Sequence, residues 1–179
     1  MKRADLWRGV VAGVLFLAWT CLAAGRGGYF DDVLEPATER LSRAEVVVLD
    51  GDTILVGGVK VRLLGVDTPE CGAPWFEGDQ EPWAGQARDL LVELLASGGE
   101  ITLQSWGSTD VYDRRLAHLF VAGESVSLRL VQAGLAYPTV QRYGDQGFPE
   151  LAAQLLQHAK RPTFQVPWRW RREHRIPAR

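Results

Sequence analysis

The chain has 179 residues, of which 46% are hydrophobic; this is ample for one globular domain with a real core and tight for two. Lys and Arg number 20 and Asp and Glu number 22, a formal net charge of -2, so overall charge does not decide between possible partners. There are two cysteines, and Cys21 falls in an apolar N-terminal run, so a disulfide framework is excluded and Cys71 is predicted to be a lone thiol.

The N-terminus has the pattern of an export segment. Basic residues precede an apolar run from Gly9 to Ala24, and small residues end it. As a helix this run would be about 24 Å long, shorter than the roughly 30 Å hydrocarbon core of a bilayer. We therefore predict a signal peptide over 1–25, with an uncleaved signal anchor as the alternative. The rest of the chain is then exported: secreted, periplasmic, or membrane-anchored with the domain outside the cytoplasm.

Residues 26–43 are polar and lack clear periodicity, so they are predicted to be a spacer before the domain. The domain is expected to span 44–168 and to begin with a three-stranded meander. Its three β-rich runs are separated by the turn signals Asp50-Gly51-Asp52 and Gly57-Gly58. The predicted strands are 45–49, 53–56 and 60–66.

Helical spacing follows the meander. Apolar residues recur at i, i+3, i+4, i+7 and i+8 before Gly98-Gly99, which predicts an amphipathic helix. Two more strands are predicted at 101–106 and 115–121, and a helix at 127–133 is stopped by Gly134. The residues on the inner face of the first helix are Ala87, Leu90, Leu91, Leu94 and Leu95. A last helix is predicted at 149–159, with Leu151, Leu155, Leu156 and Ala159 facing inward.

Five short strands with a helix between the third and fourth fit the OB-fold. The predicted fold is therefore α+β, a five-stranded Greek-key β-barrel with three helices, preceded by the hydrophobic export segment.

Four carboxylates follow the ends of the first and third predicted strands: Asp50, Asp52, Asp67 and Glu70. Neighbouring strand ends in a small barrel lie within side-chain reach, and like charges placed together raise a pKa or cost stability unless a cation joins them. Oxygen ligands suit a hard divalent ion, and calcium is the natural candidate. The alternative is that the Asp-Gly pairs only form a turn.

Two arginines lie near these acids in the predicted fold. Arg62 is in the middle of an apolar strand, and Arg114 directly precedes the fifth strand. A guanidinium offers a planar fork of donors that matches the oxygens of a phosphate. A metal with two such forks describes a site for phosphoryl transfer, whereas the alternative is that the arginines only pair with the acids on a solvated face.

Three segments occur in an order and spacing that resemble the signature blocks of the staphylococcal nuclease (thermonuclease) family. They are 50–53 (DGDT), 62–70 (RLLGVDTPE) and 110–114 (DVYDR). The segments 85–87 (GQA) and 130–136 (LVQAGLA) also match, and the resemblance covers about residues 44–168.

The resemblance implies a calcium-dependent phosphodiesterase that hydrolyses DNA or RNA with little sequence specificity, as an endonuclease. It implies that calcium is held by the carboxylates of Asp52 and Asp67 and the backbone carbonyl of Thr68. A rival hypothesis is a non-catalytic OB-fold module that binds nucleic acid or protein.

The resemblance also implies roles for the remaining site residues. Glu70 matches the carboxylate that orients and deprotonates the attacking water, and Arg62 and Arg114 match the phosphate-binding arginines. Tyr112 matches a tyrosine that lies against the bound nucleotide. Where the family usually has Gly before the second arginine, this chain has Asp113, which predicts a positive φ and a negative charge that competes with phosphate for Arg114.

Three other features complete the predictions. The acidic, Trp-rich loop 71–83 is expected to overhang the site because it directly follows Glu70. The basic tail, 169–179, can track a nucleic-acid backbone, lie on anionic lipid, or remain solvated. No obligate protein partner is evident, so a monomer is expected.

The three histidines lack the spacing of metal ligands and are therefore predicted to have structural roles. They are His118, His158 and His174.

Overall fold

The structure is a computed structural model that describes residues 35–177. The predicted export segment, 1–25, and residues 26–34 of the predicted spacer lie outside the described residues. Within the described part, no helix is long and apolar enough to cross a membrane.

Nine strands and five α-helices occur in residues 35–177. The strands are β1 (Ala37–Leu41), β2 (Val46–Val48), β3 (Thr53–Val56), β4 (Val59–Leu63), β5 (Val66–Asp67), β6 (Ile101–Ser105), β7 (Arg115–Val121), β8 (Glu124–Ser125) and β9 (Tyr137–Pro138). The helices are α1 (Trp83–Ala96), α2 (Val126–Ala133), α3 (Val140–Tyr143), α4 (Pro149–His158) and α5 (Pro167–Glu173).

One curled, mixed sheet carries the fold, with the helices packed around it, consistent with an α+β chain of OB type. The strand order is β1-β6-β7-β4-β3-β2, with β8 also paired to β7. Strands β4 and β7 run parallel, and the other pairs in this sheet are antiparallel. Strands β5 and β9 form a separate two-stranded pair.

The five predicted strands are present, but the counts of five strands and three helices were too low. The predicted single run 60–66 divides into β4 and β5 because the chain turns at Gly65. This residue has φ 81°, and an added Cβ would lie 2.4 Å from the side chain of Leu155, so only glycine fits. Within the predicted spacer, β1 pairs with β6 from Ala37 opposite Ser105 onward. Two short helices, α3 and α5, were not predicted.

The core lies between the sheet and the inner faces of the helices. Helix α1 buries Ala87, Leu91 and Leu95 as its spacing predicted. Helix α2 begins at the cap residue Ser125, whose hydroxyl accepts a hydrogen bond from the Leu128 N–H, and ends at Gly134 with φ 73°.

One residue of helix α4 that was predicted to face the core, Leu156, is exposed. Ala152 and Leu155 form its buried face, whereas Leu156 is 43% exposed. Each residue of an α-helix turns about 100° from the one before it, which takes Leu156 away from Leu155 and toward solvent.

Candidate active site

The turn before β3 is joined to the segment after β5 through Asp52. This carboxylate is buried, and its oxygens accept hydrogen bonds from the Thr68 backbone N–H at 2.8 Å and the Thr53 hydroxyl at 3.2 Å. Gly51 permits this arrangement, since an added Cβ would lie 2.7 Å from the Cβ of Ala87 on α1. The first and second motif blocks therefore meet through a buried carboxylate on a turn packed against α1.

Arg62, the charged residue in the middle of β4, lies between two buried carboxylates. Its guanidinium forms an ion pair with Asp52 and another with Asp67 at 2.8 Å. It also donates to the backbone carbonyl of Val66 at 3.1 Å. The side chain of Arg62 is 17% exposed, and those of the two acids are 4% and 6% exposed. The neighbouring arginine thus offsets the mutual repulsion of two buried acids.

A third arginine, not predicted for the site, completes this cluster. Arg171 on α5 donates to both carboxylate oxygens of Asp67, at 3.2 and 3.0 Å, and also forms an ion pair with Glu70. Burial alone would lower the pKa of Arg171, but the two carboxylates raise it. Burial raises the pKa of Glu70, and Arg171 offsets part of that rise. The five residues joined by these ion pairs, here called the acid–arginine network, are Asp52, Arg62, Asp67, Glu70 and Arg171.

Helix α5 is held in place by the loop that follows Glu70. Trp170 is buried and packs edge-on against Phe76, with ring centres 5.6 Å apart. The Glu77 N–H donates to the His174 carbonyl at 2.8 Å, and the Ile176 N–H donates to the Trp75 carbonyl at 3.0 Å. The loop predicted to overhang the site therefore contacts α5 and helps to place Arg171 over the carboxylates.

Gln80 is a second site residue that sequence reasoning missed. Its side-chain carbonyl accepts from the Glu70 N–H at 3.1 Å, and its own backbone N–H donates to the Glu70 carbonyl at 2.9 Å. Its amide nitrogen donates to the Gln165 carbonyl at 2.7 Å. Since Gln80 is 5% exposed, it fixes the backbone of Glu70 relative to the segment that enters α5.

Arg114 belongs to a separate, local arrangement, the 110–114 turn. Asp110 accepts hydrogen bonds from the backbone N–H groups of Tyr112 and Arg114 at 2.9 and 3.0 Å. It also accepts from the Arg114 guanidinium at 2.8 and 2.7 Å. Burial would raise the pKa of Asp110, but these bonds hold it below its usual value. The guanidinium lies 5.5 Å from the ring centre of Tyr112, which is 69% exposed.

Asp113 has φ 59°, the positive value predicted for this position. Its charge is not the one that engages Arg114: within residues 35–177, Asp113 forms no ion pair, and Asp110 takes that place. The carboxylate that contacts the Arg114 guanidinium is therefore that of Asp110.

The predicted site residues thus fall into two neighbouring groups. Asp52, Arg62, Asp67 and Glu70 share the acid–arginine network, and Thr68 joins it through its backbone. Arg114 and Tyr112 lie in the 110–114 turn, which leads into β7. The two groups are close because β7 runs parallel to β4, with Arg115 opposite Val61.

Asp50 does not take part in the network. Its carboxylate accepts a hydrogen bond from the Asp52 N–H at 3.1 Å, the contact expected of a turn residue. Burial raises the pKa of Asp50, against the opposing charge of Arg62. Asp50 thus makes only the contact of a turn residue, whereas Asp52 also pairs with Arg62.

The carboxylates of Asp52 and Asp67 suit a hard cation in chemistry and position. Both are buried, and both contact the guanidinium of Arg62, so two anionic oxygen donors face one small volume. Among residues 35–177, no group of three or more His, Cys, Asp or Glu is placed to hold a metal. A calcium ion accepts backbone carbonyls and water besides carboxylates, so the carboxylates of Asp52 and Asp67 are of the chemical type that could hold it.

The three histidines lie outside the network. His118 is buried and meets Phe148 edge-on, with ring centres 4.6 Å apart. Burial lowers its pKa to about 4, so it is neutral at pH 7. His174 stacks on Trp170 at 4.4 Å, and His158 is the last residue of α4.

Residues 60–162, more than half of the chain, match the family described as staphylococcal nuclease homologue. The chain belongs to this family. The matched range of this staphylococcal nuclease homologue includes Arg62, Asp67, Glu70 and Arg114, whereas Asp52 precedes it. Arg171 follows the range.

Named relatives agree with this assignment. The chain is 37% identical over 108 residues to "Endonuclease YncB" of Bacillus subtilis, covering 55% of this chain and 50% of that protein. It is 31% identical over 104 residues to "Thermonuclease" of Staphylococcus intermedius, covering 54% and 61%. It is 36% identical over 108 residues to "SPbeta prophage-derived endonuclease YokF" of Bacillus subtilis, covering 55% and 36%. The matched part thus spans about a third to three fifths of the length of these relatives.

Proposed function

We propose that this chain is a calcium-dependent phosphodiesterase that cuts DNA or RNA as an endonuclease with little sequence specificity. The observation that carries the proposal is the acid–arginine network. Arg62 forms ion pairs with the buried carboxylates of Asp52 and Asp67, which are candidates to hold a cation. Arg171 links Asp67 in turn to the candidate base Glu70. The names of the relatives, endonuclease and thermonuclease, support the same class of reaction.

Arg62 and Arg114 are proposed to bind the scissile phosphodiester. Their donors contact the protein's own carboxylates, which have the same oxygen chemistry as a phosphate. A bound phosphodiester replaces these contacts at Arg114, whose side chain is 25% exposed. As charge builds on the phosphate oxygens during attack, fixed guanidinium groups stabilise the transition state more than the ground state.

Glu70 is proposed to orient and deprotonate the attacking water. Its backbone is fixed on both sides by Gln80, so its carboxylate starts from a defined position. Asp52, Asp67 and the carbonyl of Thr68 would hold calcium, which supplies positive charge beside the phosphate. Positioned proton transfer of this kind is worth about 10²- to 10⁴-fold in rate.

Low sequence specificity follows from what the site offers. The proposed contacts bind phosphate and charge, and such contacts position a strand without reading its bases. Tyr112, exposed beside Arg114, offers a flat ring to a nucleotide of any sequence.

The place of action is also a proposal. The pattern of residues 1–25 supports export, with the domain secreted, periplasmic, or anchored to a membrane through that segment. A monomer is proposed for the exported domain.

The rival function is a non-catalytic module that binds nucleic acid or protein. One observation favours it: both oxygens of Asp67 and the guanidinium of Arg114 are engaged within the chain, as a purely structural network would also require. The two functions differ in whether the chain cleaves a phosphodiester bond, a reaction that the first function assigns to Glu70 as base.

Digestion of end-labelled DNA and RNA, in calcium and in a chelator, tests the proposal. The parent protein is expected to cut in calcium only, Glu70→Gln to lose about 10²- to 10⁴-fold in rate, and Arg114→Ala about 10²- to 10³-fold. Matched controls are Glu93→Gln and Arg129→Ala, which change residues on α1 and α2 outside the site and should cut like the parent. If the parent leaves both polymers intact in calcium, or the site variants cut as well as the controls, the chain is not this enzyme.

A further inference from the structure

The outer side of α5 carries a cluster of arginines around one aromatic ring. The guanidinium carbons of Arg142, Arg169 and Arg172 lie 5.1, 5.6 and 5.6 Å from the ring centre of Trp168. Arg142 comes from α3 and also lies 5.4 Å from the ring centre of Tyr143. Trp168 is 36% exposed and Tyr143 is 56% exposed. These five residues are called the arginine–tryptophan patch below.

The patch brings three positive charges close together. Any two of the three guanidinium carbons are within about 11 Å of each other, near the screening length of roughly 8–10 Å at physiological salt. Within residues 35–177, none of the three forms an ion pair with an acid. By contrast, Arg40 and Arg129 on other elements each have a glutamate partner.

The chemistry of the patch favours a polyanion with closely spaced charges. Aromatic rings attract guanidinium groups to their faces and leave the N–H donors at the guanidinium edge available to oxygen atoms. Because three arginines already surround Trp168, its ring serves to hold the cations together. Several negative groups on one flexible chain would match three such cations, and a nucleic-acid backbone has that character.

The patch is also continuous with the candidate active site. Arg171, which contacts Asp67 and Glu70, lies on the same short helix as the patch. It is three residues after Trp168, so the two side chains are neighbours on the helix surface, and it directly precedes Arg172. The residue that contacts the network and three members of the patch therefore lie within about one turn of the same helix.

We propose that the arginine–tryptophan patch binds backbone phosphates of the substrate strand next to the phosphate that is cut. This inference rests on the proposed function, because it takes the substrate to be a nucleic acid. It gives part of the predicted basic tail a specific role, in which the patch supplies affinity for long strands and takes no part in bond cleavage.

The test measures binding of a fluorescent single-stranded oligonucleotide in chelator, where cutting is not expected, over a series of salt concentrations. The triple variant R142Q/R169Q/R172Q is expected to bind more weakly than the parent. Each lost phosphate contact flattens the slope of log affinity against log salt by roughly 0.7 for a single strand, so the triple variant should lose about 2 from that slope. The corresponding triple lysine variant keeps the charges and should keep most of the slope.

A matched control, R40Q/R43Q/R129Q, removes three charges from arginines on other elements and should leave the slope unchanged. The proposal is overturned if the parent does not bind, if the patch variant keeps the parental slope, or if the control loses as much slope as the patch variant. Thermal unfolding of each variant checks that the fold is intact; should the glutamine variant fail to fold, single Arg169→Gln and Arg172→Gln variants are each expected to lose about 0.7 from the slope.

Vesicles of phosphatidylcholine and phosphatidylserine in equal parts provide the lipid arm. If the patch variant loses vesicle binding while its oligonucleotide slope is parental, the patch serves a membrane and the proposal fails.

Cleavage of a small diester, bis(p-nitrophenyl) phosphate, separates this proposal from the proposed function. A parent that cuts the diester but shows no patch-dependent slope overturns the patch alone, and a parent that binds strands through the patch but cuts nothing overturns the catalytic function alone.

Discussion

The acid–arginine network and the 110–114 turn are two arginine–carboxylate arrangements that are built in opposite ways. In the 110–114 turn, Arg114 contacts an acid four residues away, and the donor and acceptor side chains are 25% and 18% exposed. In the acid–arginine network, Arg62 and Arg171 converge on Asp67, which is 6% exposed, and Arg171 is 104 residues away from it. A local, partly solvated pair costs the fold little when broken, whereas a buried set leaves unpaired charge behind.

The largest expected effect follows from breaking the buried set. Arg62→Ala leaves Asp52 and Asp67 without their shared partner, and we expect the free energy of unfolding at pH 7 to fall by about 3–5 kcal/mol. Arg114→Ala, the matched change in the 110–114 turn, should cost about 1 kcal/mol or less. Urea unfolding of both variants checks this difference. Equal losses in the two variants would mean that burial does not distinguish the two arrangements.

His118 is a buried ionisable group without an acidic partner among residues 35–177, so it shows what burial does to a charge that is not paired. The pKa of His118 is about 4 in the folded protein, against about 6.5 when unfolded, so the unfolded chain binds more protons between these values. Stability is therefore fully retained above about pH 6.5 and falls as the pH drops toward 4, by about 3 kcal/mol from this residue.

The measurement for His118 is urea unfolding at pH 7 and pH 4 for the parent and for His118→Leu, which keeps an apolar side chain of similar size. The parent is expected to lose about 3 kcal/mol more than the variant over this range. Equal losses would show that protonation of His118 does not oppose folding.

The smallest expected effect concerns Arg171 and the proposed calcium site. Its guanidinium takes both oxygens of Asp67, so it must yield for a cation to use them. Asp67 is buried, but the side chain of Arg171 is 31% exposed, so we value this contact at about 1 kcal/mol. Its loss in Arg171→Gln should tighten calcium binding about fivefold. Isothermal titration calorimetry measures this without reference to activity. Arg169→Gln, on the same helix but in contact with Trp168, is the control. If both variants gain affinity equally, net charge and not the contact with Asp67 is responsible.

Much of the fold was accessible from the sequence because its signals are local. The predicted strands 53–56 and 115–121 match β3 and β7, and the spacing of Ala87, Leu91 and Leu95 correctly gave the buried face of α1. The errors lie where contacts between distant residues decide the structure. Strand β1 is stabilised by pairing with β6, which lies far along the chain. Helix α5 is stabilised by the packing of Trp170 against Phe76. Neither partner can be identified from the local sequence pattern.

The sequence by itself determined the membership of the staphylococcal nuclease family and the choice of Asp52, Arg62, Asp67, Glu70 and Arg114 as one group, because their order and spacing resemble the signature blocks of that family. Only the tertiary structure decided which charges meet. It placed Arg171 over Asp67 and Glu70, across 104 and 101 residues of chain, and left Arg114 with Asp110. The physical reason is that a long-range ion pair depends on where packing sets the helix that carries it, and no spacing along the chain encodes that position.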